Sequence, residues 1–234
     1  MRTQTMPQTN SLSVPTSADF AEARQIMVDD QIRPVEVNDP RIVAAMRELP
    51  RELAVPEDQR RFAYADRSLP LGNGRFLLQP MVLARLTQMA HIEPGERVLI
   101  VGAGMGYLAS LVAALEAQVT ALESDPLLAA AGQLYTAHAA PAVAWRQGSL
   151  TEGAPGEAPF DLIFFEGAVP DIPAFCAAQL APQGRVAGVL QPEDGTSSAF
   201  LAHHDKEDGW AIRRFFDAAA PVLPAFAPAP AFVF

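Results

Sequence analysis

The chain has 234 residues, half of them hydrophobic, a lone cysteine and a formal net charge of −10 at pH 7. That length allows one main domain with a sizeable core, and charge or proline interrupts every apolar run before the roughly 18 residues a membrane-spanning helix needs. The lone Cys176 excludes an internal disulfide and a cysteine-based zinc cluster, and the acidic balance disfavours nucleic acid as a substrate.

Residues 1–17 are polar, rich in Thr, Ser, Gln and Pro, and lack the pattern of a secretory signal, so a disordered tail and a reducing, cytoplasmic setting are expected. Residues 18–80 are expected to form a helical segment and a substrate-side loop. Phe20, Ile26 and Met27 recur at helix spacing before a break at Arg33-Pro34, and Ile42, Val43, Met46 and Leu49 resume it. Asn38 or Asp39 before Pro40 suits a helix start. Between Ala63 and Pro80 the density of Pro, Gly, Asn and Asp predicts a structured loop or hairpin.

Residues 81–234 carry the expected α/β core. A helix over Met81–Ala90 is followed by a buried strand, Arg97–Val101, and a helix over Tyr107–Glu116. Val119–Glu123, Ala142–Trp145, Phe160–Phe165 and Gly184–Leu190 read as further strands, with helices at Pro126–His138 and Pro173–Leu180. The alternation predicts a mostly parallel sheet with helices on both faces. His203-His204 and Trp210–Phe216 read as a terminal hairpin where the sheet turns antiparallel. Neighbouring histidines on a strand point to opposite faces, so no metal site is expected there.

The sharpest feature is Gly102-Ala103-Gly104-Met105-Gly106-Tyr107, placed after the first core strand and opening a helix. Glycines there let backbone approach a ligand. In an open α/β sheet, Glu123 at the end of the next strand is placed to accept hydrogen bonds from a ribose diol. Tyr107 replaces the third glycine of G-x-G-x-x-G, which favours an adenosyl cofactor such as S-adenosylmethionine over a dinucleotide. Glu166 either faces the same crevice or caps a turn.

Over Met27 to Leu190 the chain resembles the protein-L-isoaspartate O-methyltransferases. The resemblance rests on Met27-Val28-Asp29-Asp30-Gln31-Ile32-Arg33, Ala45-Met46-Arg47, Pro50-Arg51, Val55-Pro56-Glu57, Ala63-Tyr64-Ala65-Asp66, Leu69-Pro70-Leu71-Gly72 and Gln79-Pro80, in the family's order. It implies a Rossmann-like methyltransferase fold with an N-terminal helical extension. It also implies a carboxyl O-methyltransferase that uses S-adenosylmethionine, releases S-adenosylhomocysteine, and repairs isoaspartyl carboxylates in damaged proteins or peptides, or methylates a related small acid. A carboxylate is already ionised near neutral pH, so such transfer depends on positioning more than on a base.

Gly102, Ala103, Gly104, Gly106 and Glu123 by their spacing, Gln147, Gly148 and Ser149 by the resemblance, and Glu166 by its place at a strand's carboxyl end are the candidate cofactor residues. Arg75, Leu77, Leu78 and Gln79 form the candidate substrate loop. The chain departs from the family at three places. Leu78 stands at the serine beside the reacting carboxylate, Ile100 replaces the acid before the glycine turn, and Gln147 replaces the Asp of a Gly-Asp-Gly segment. No catalytic residue is therefore assigned, weakened cofactor binding and slow or absent isoaspartyl methylation are expected, and the alternative is an inactive fold kept as a binding module. An amino-methyltransferase of nucleic acid fits less well, since Glu166-Gly167-Ala168-Val169-Pro170 replaces the Asn/Asp-Pro-Pro-aromatic segment such enzymes carry.

Overall fold

The computed structural model describes residues 15–205 and 207–228, so most of the expected tail lies outside the described residues. Its last part does not fit that expectation. Thr16 caps helix α1 (Ser17–Met27): its hydroxyl accepts the Asp19 N–H at 3.3 Å, and the Asp19 carboxylate accepts the Thr16 N–H at 2.7 Å. This reciprocal capping box satisfies two amides that would otherwise lack partners. Beyond Met27 the chain widens into a π turn, Val28–Ile32, and a 3-10 turn, Arg33–Val35, where Pro34 ends the helical run. Helix α2 (Pro40–Glu48) starts where the sequence suggests, with the Asp39 side chain accepting the Arg41 N–H at 2.8 Å.

The Gly/Pro-rich stretch is a hairpin of β1 (Leu69–Gly72) and β2 (Arg75–Leu77), turned by Asn73 and Gly74 at φ of 48° and 72°. Helix α3 (Pro80–Met89) follows. The core then runs β3 (Arg97–Val101), α4 (Tyr107–Ala113), β4 (Gln118–Glu123), α5 (Pro126–Ala139), β5 (Ala144–Gln147), β6 (Phe160–Val169), α6 (Phe175–Gln179), β7 (Leu180–Leu190), β8 (Ser198–Asp205) and β9 (Gly209–Asp217). The seven-stranded sheet has the order β5-β4-β3-β6-β7-β8-β9. Strands β3 to β7 are parallel and the last two antiparallel, as the sequence predicts. The chain winds outward from β3 to β5 and returns to place β6 against the other side of β3, which opens a crevice at the carboxyl ends of β3, β4 and β6.

Residues of β3 alternate between two apolar layers. Val98 and Ile100 join Leu83, Leu108, Met46 and Met27, while Leu99 and Val101 join Ile163, Phe165, Leu150 and Cys176. The N-terminal segment thus shares one core layer with the sheet. Several elements differ in extent from the sequence reading, among them β7, which begins at Leu180 rather than Gly184. Helix α4 stops at Ala113, because Glu116 takes φ 65° and its carbonyl accepts the Gly95 N–H at 2.8 Å. Helix α6 is confined to Phe175–Gln179, and β5 lies two residues later than expected, which pairs Gln147 with Glu123. Strand β6 continues past Phe165 through an irregularity between Phe164 and Ala168, which puts Glu166 and Gly167 at its carboxyl end. No described helix is long and apolar enough to cross a membrane.

Candidate functional site at the strand ends

The turn after β3 needs its glycines: Gly102, Gly104 and Gly106 take φ of 77°, 52° and 86°, where a β-carbon is strained. The N–H groups of Gly102 and Ala103 both donate to the Leu122 carbonyl, at 2.9 and 3.0 Å, folding the turn back toward β4. Glu123, the last residue of β4, is fully buried. One of its carboxylate oxygens, Oε2, accepts the Gly104 N–H at 2.8 Å, and the other, Oε1, accepts the N–H groups of Ser124 and Asp125 at 2.8 and 3.0 Å. Turn and acid therefore meet at one crevice.

Arg75 is in that crevice too, although the sequence reading placed it in the substrate loop. From β2 its Nη1 donates to Glu123 Oε1 at 2.6 Å and its Nη2 to the Gly102 carbonyl at 2.6 Å, and only 4% of the side chain is exposed. Leu223 closes the space from the other direction. Its segment is held to the end of β6, with the Ala168 N–H donating to Pro221 O and the Leu223 N–H donating to Ala168 O, both at 2.9 Å. A β-carbon on Gly102 would lie 2.7 Å from Arg75 Nη2 and 3.0 Å from Leu223 Cδ2, and one on Gly167 would lie 2.6 Å from Leu223 Cγ. The room that these glycines leave for a ligand is filled by the chain's own side chains.

What remains outside Arg75 is a cavity of about 220 Å³ lined by Asn73, Arg75, Ser124, Asp125, Leu150, Pro224 and Ala225. Sites for small molecules usually span roughly 300–1,000 Å³. In this conformation the side chains around Gly102 and Glu123 leave no room that fits an adenosyl group. Ile100 is buried among core residues beneath the turn and provides no polar contact.

The other expected site residues are scattered around this centre. Gln147, Gly148 and Ser149 are exposed at the end of β5; the Gly148 N–H donates to the Glu123 carbonyl at 3.1 Å, and the Ser149 hydroxyl pairs with that of Thr151. Leu77 and Leu78 are both buried in the core, Leu77 on the inward side of β2 and Leu78 just past its end. Gln79 is half-buried and lines a cleft of about 500 Å³ with Asp66, Arg67, Ser68, Gln191 and Ser197.

Glu166 faces inward, fully enclosed, with Oε2 lacking a hydrogen-bond partner among the described residues. Burial pushes its carboxyl pKa well above the ordinary value; the charges of Arg75 and Arg51 oppose the shift and that of Glu123 adds to it. With the folded pKa raised, the folded state binds more protons than the unfolded chain above the ordinary carboxyl pKa. The contribution is complete below that pKa and is lost as pH climbs toward the folded one. Glu166→Gln removes the titration, so it should stabilise the protein at pH 8 by on the order of 1 kcal/mol and by less at pH 4. Thermal melts across that range check it, and a gain that shrinks with rising pH would refute the assignment.

Sequence reasoning missed Leu223 and Arg51. Leu223 sits in a Pro/Ala-rich end segment without periodicity. Arg51 reads as surface charge, yet it is completely buried, donating to the carbonyls of Ala63 at 2.7 Å and Leu78 at 2.5 Å. Only the Pro50-Arg51 match to the family hinted at its importance.

Comparison with known proteins gives a consistent picture. The profile of the protein-L-isoaspartate(D-aspartate) O-methyltransferase family matches residues 22–217. A protein-L-isoaspartate O-methyltransferase of Methanoculleus marisnigri is 39% identical over 172 residues, covering 73% of this chain and 78% of that protein. One from Methylorubrum extorquens is 37% identical over 189 residues, covering 81% of this chain and 83% of that one. Among solved structures, a Plasmodium falciparum protein described as a putative protein-L-isoaspartate O-methyltransferase, in complex with S-adenosyl-L-homocysteine, superposes with a TM-score of 0.72 at 19% identity, over 86% of this chain and 98% of that one. A second solved protein-L-isoaspartate O-methyltransferase gives the same TM-score at 21% identity, covering 87% of this chain and 65% of that chain.

Proposed function

Because the chain belongs to the protein-L-isoaspartate(D-aspartate) O-methyltransferase family, we propose that it is an S-adenosylmethionine-dependent carboxyl O-methyltransferase acting on isoaspartyl residues of damaged proteins or peptides, or on a related small acid. The observation that carries this reading, beside the family match, is the meeting of Gly104 and Glu123 at the sheet's switch point. Gly102, Ala103, Gly104, Gly106 and Glu123 are the proposed cofactor frame, flanked by Gln147, Gly148, Ser149 and Glu166. The cleft bordered by Asp66, Arg67, Ser68 and Gln79 is the proposed approach for the substrate. There Arg67 supplies a cation for a carboxylate, and Ser68 and Gln79 supply hydrogen-bonding groups.

The buried lone cysteine and the net charge of −10 agree with a reducing, cytoplasmic setting and disfavour nucleic acid as substrate. The test is transfer of labelled methyl from S-adenosylmethionine to an isoaspartyl peptide, followed as alkali-labile ester, with the matching aspartyl peptide as control. Transfer is expected to the first and not to the second, at a low rate because the crevice is filled. Equal labelling of both peptides would overturn the assignment of substrate.

A further inference from the structure

We infer that Arg75 is an internal occupant of the cofactor site: its guanidinium takes the place of a ribose diol at Glu123, and with Leu223 it holds the crevice shut, so that a nucleoside enters only when Arg75 leaves. The inference rests on the reading of this crevice as a cofactor site. A ribose diol donates hydrogen bonds to a carboxylate at the end of this strand. Here Arg75 Nη1 donates to that carboxylate, and Glu123 Oε1 also holds two backbone N–H groups, while Oε2 holds the Gly104 N–H. Oε1 is thus saturated, and Arg75 stands where the diol would approach it.

The second nitrogen makes the arrangement self-consistent. Arg75 Nη2 donates to the Gly102 carbonyl and lies against the Gly102 Cα, the surface that a glycine turn keeps bare for a ligand. Leu223 covers Gly102 and Gly167 from above, and its segment continues to Phe226, whose ring packs edge-on against Phe165 at 5.7 Å between centroids. The hairpin tip is held over the same opening by Asn73, whose side chain donates to Asp125 at 2.5 Å. Closure therefore comes from two separate segments, each anchored by hydrogen bonds. A ligand that binds only the open form has its apparent affinity reduced by the open fraction: an open population of about 1% weakens binding about a hundredfold.

Calorimetric titration with S-adenosylhomocysteine of the full chain and of Arg75→Gln, Arg75→Ala and Leu223→Ala tests this, with thermal melts to confirm that each variant is folded. Arg75→Gln keeps a donor for Glu123 without the bulk and charge, and Leu223→Ala leaves the ion pair intact, so the test survives if Arg75→Ala fails to fold. Binding by either Arg75 variant at least tenfold tighter than by the unaltered protein, with a smaller gain for Leu223→Ala, is the expected result. Equal affinity across the unaltered protein and the folded variants would overturn the inference while leaving the cofactor site in place. Absence of binding in all of them would remove the cofactor site itself and with it the proposed function.

Discussion

Replacing Glu123 by Ala should destabilise the fold by about 3–5 kcal/mol, because it strands the buried Arg75 cation without its partner. Arg75 is 4% exposed and Glu123 not at all, so neither charge can turn to water without moving the hairpin. The same substitution removes the acceptor for the N–H groups of Gly104, Ser124 and Asp125, each worth about 1–3 kcal/mol when left unpaired. The turn after β3 would loosen with them. The double substitution Glu123→Gln with Arg75→Met separates the charge from the packing: no lone charge remains, and the introduced side-chain amide still offers an acceptor oxygen. It should cost less than Glu123→Ala, since a buried pair replaced as a unit is often nearly neutral. Urea unfolding of both proteins gives the two figures. A cost below about 1 kcal/mol for Glu123→Ala would mean that water reaches the pair and that the crevice is open in solution.

This pair also marks the limit of what could be read from the sequence. The fold was legible because β and α periods alternate cleanly from Arg97 onward, and because glycines at 102, 104 and 106 punctuate the first crossover. Glu123 was legible from its spacing to that turn. The role of Arg75 was not, since a hairpin of four and three residues can direct alternate side chains to either face, and only the observed register turns Arg75 toward β4 and Leu77 into the core. Leu78, just past the end of β2, stands at the family's serine position, but its side chain belongs to the same core cluster as Leu77 and Leu83. Leu223 was hidden for another reason. Its placement depends on a single parallel bridge between Ala168 and Val222, which has no counterpart in local pattern. Short bridges between distant segments are fixed by tertiary packing rather than by propensity.

The substitution Arg51→Ala should cost a further large amount, about 3–5 kcal/mol, although no hydrogen bond of Arg51 reaches Glu123 or the glycine turn. Arg51 is among the largest fully buried side chains, and it ties the 3-10 turn after α2 to two other segments through the carbonyls of Ala63 and Leu78. Both acceptors lie in the interior, so removing the guanidinium leaves them unpaired at about 1–3 kcal/mol each, and truncation adds a cavity beside Tyr107, over whose ring the guanidinium carbon sits 5.0 Å from the centroid. Against this, burial disfavours the charged form of Arg51 and pulls its pKa down, with only partial relief from neighbouring Tyr107 and Glu166. Losing an ill-solvated charge therefore offsets part of the damage. Arg51→Met tests the balance: it restores most of the volume without either donor, and should fall between the unaltered protein and Arg51→Ala. Denaturant midpoints at constant m-value provide the comparison. If Arg51→Met proves as stable as the unaltered protein, the two carbonyl bonds contribute nothing net, and the register of Leu78 must be set by the apolar layer alone.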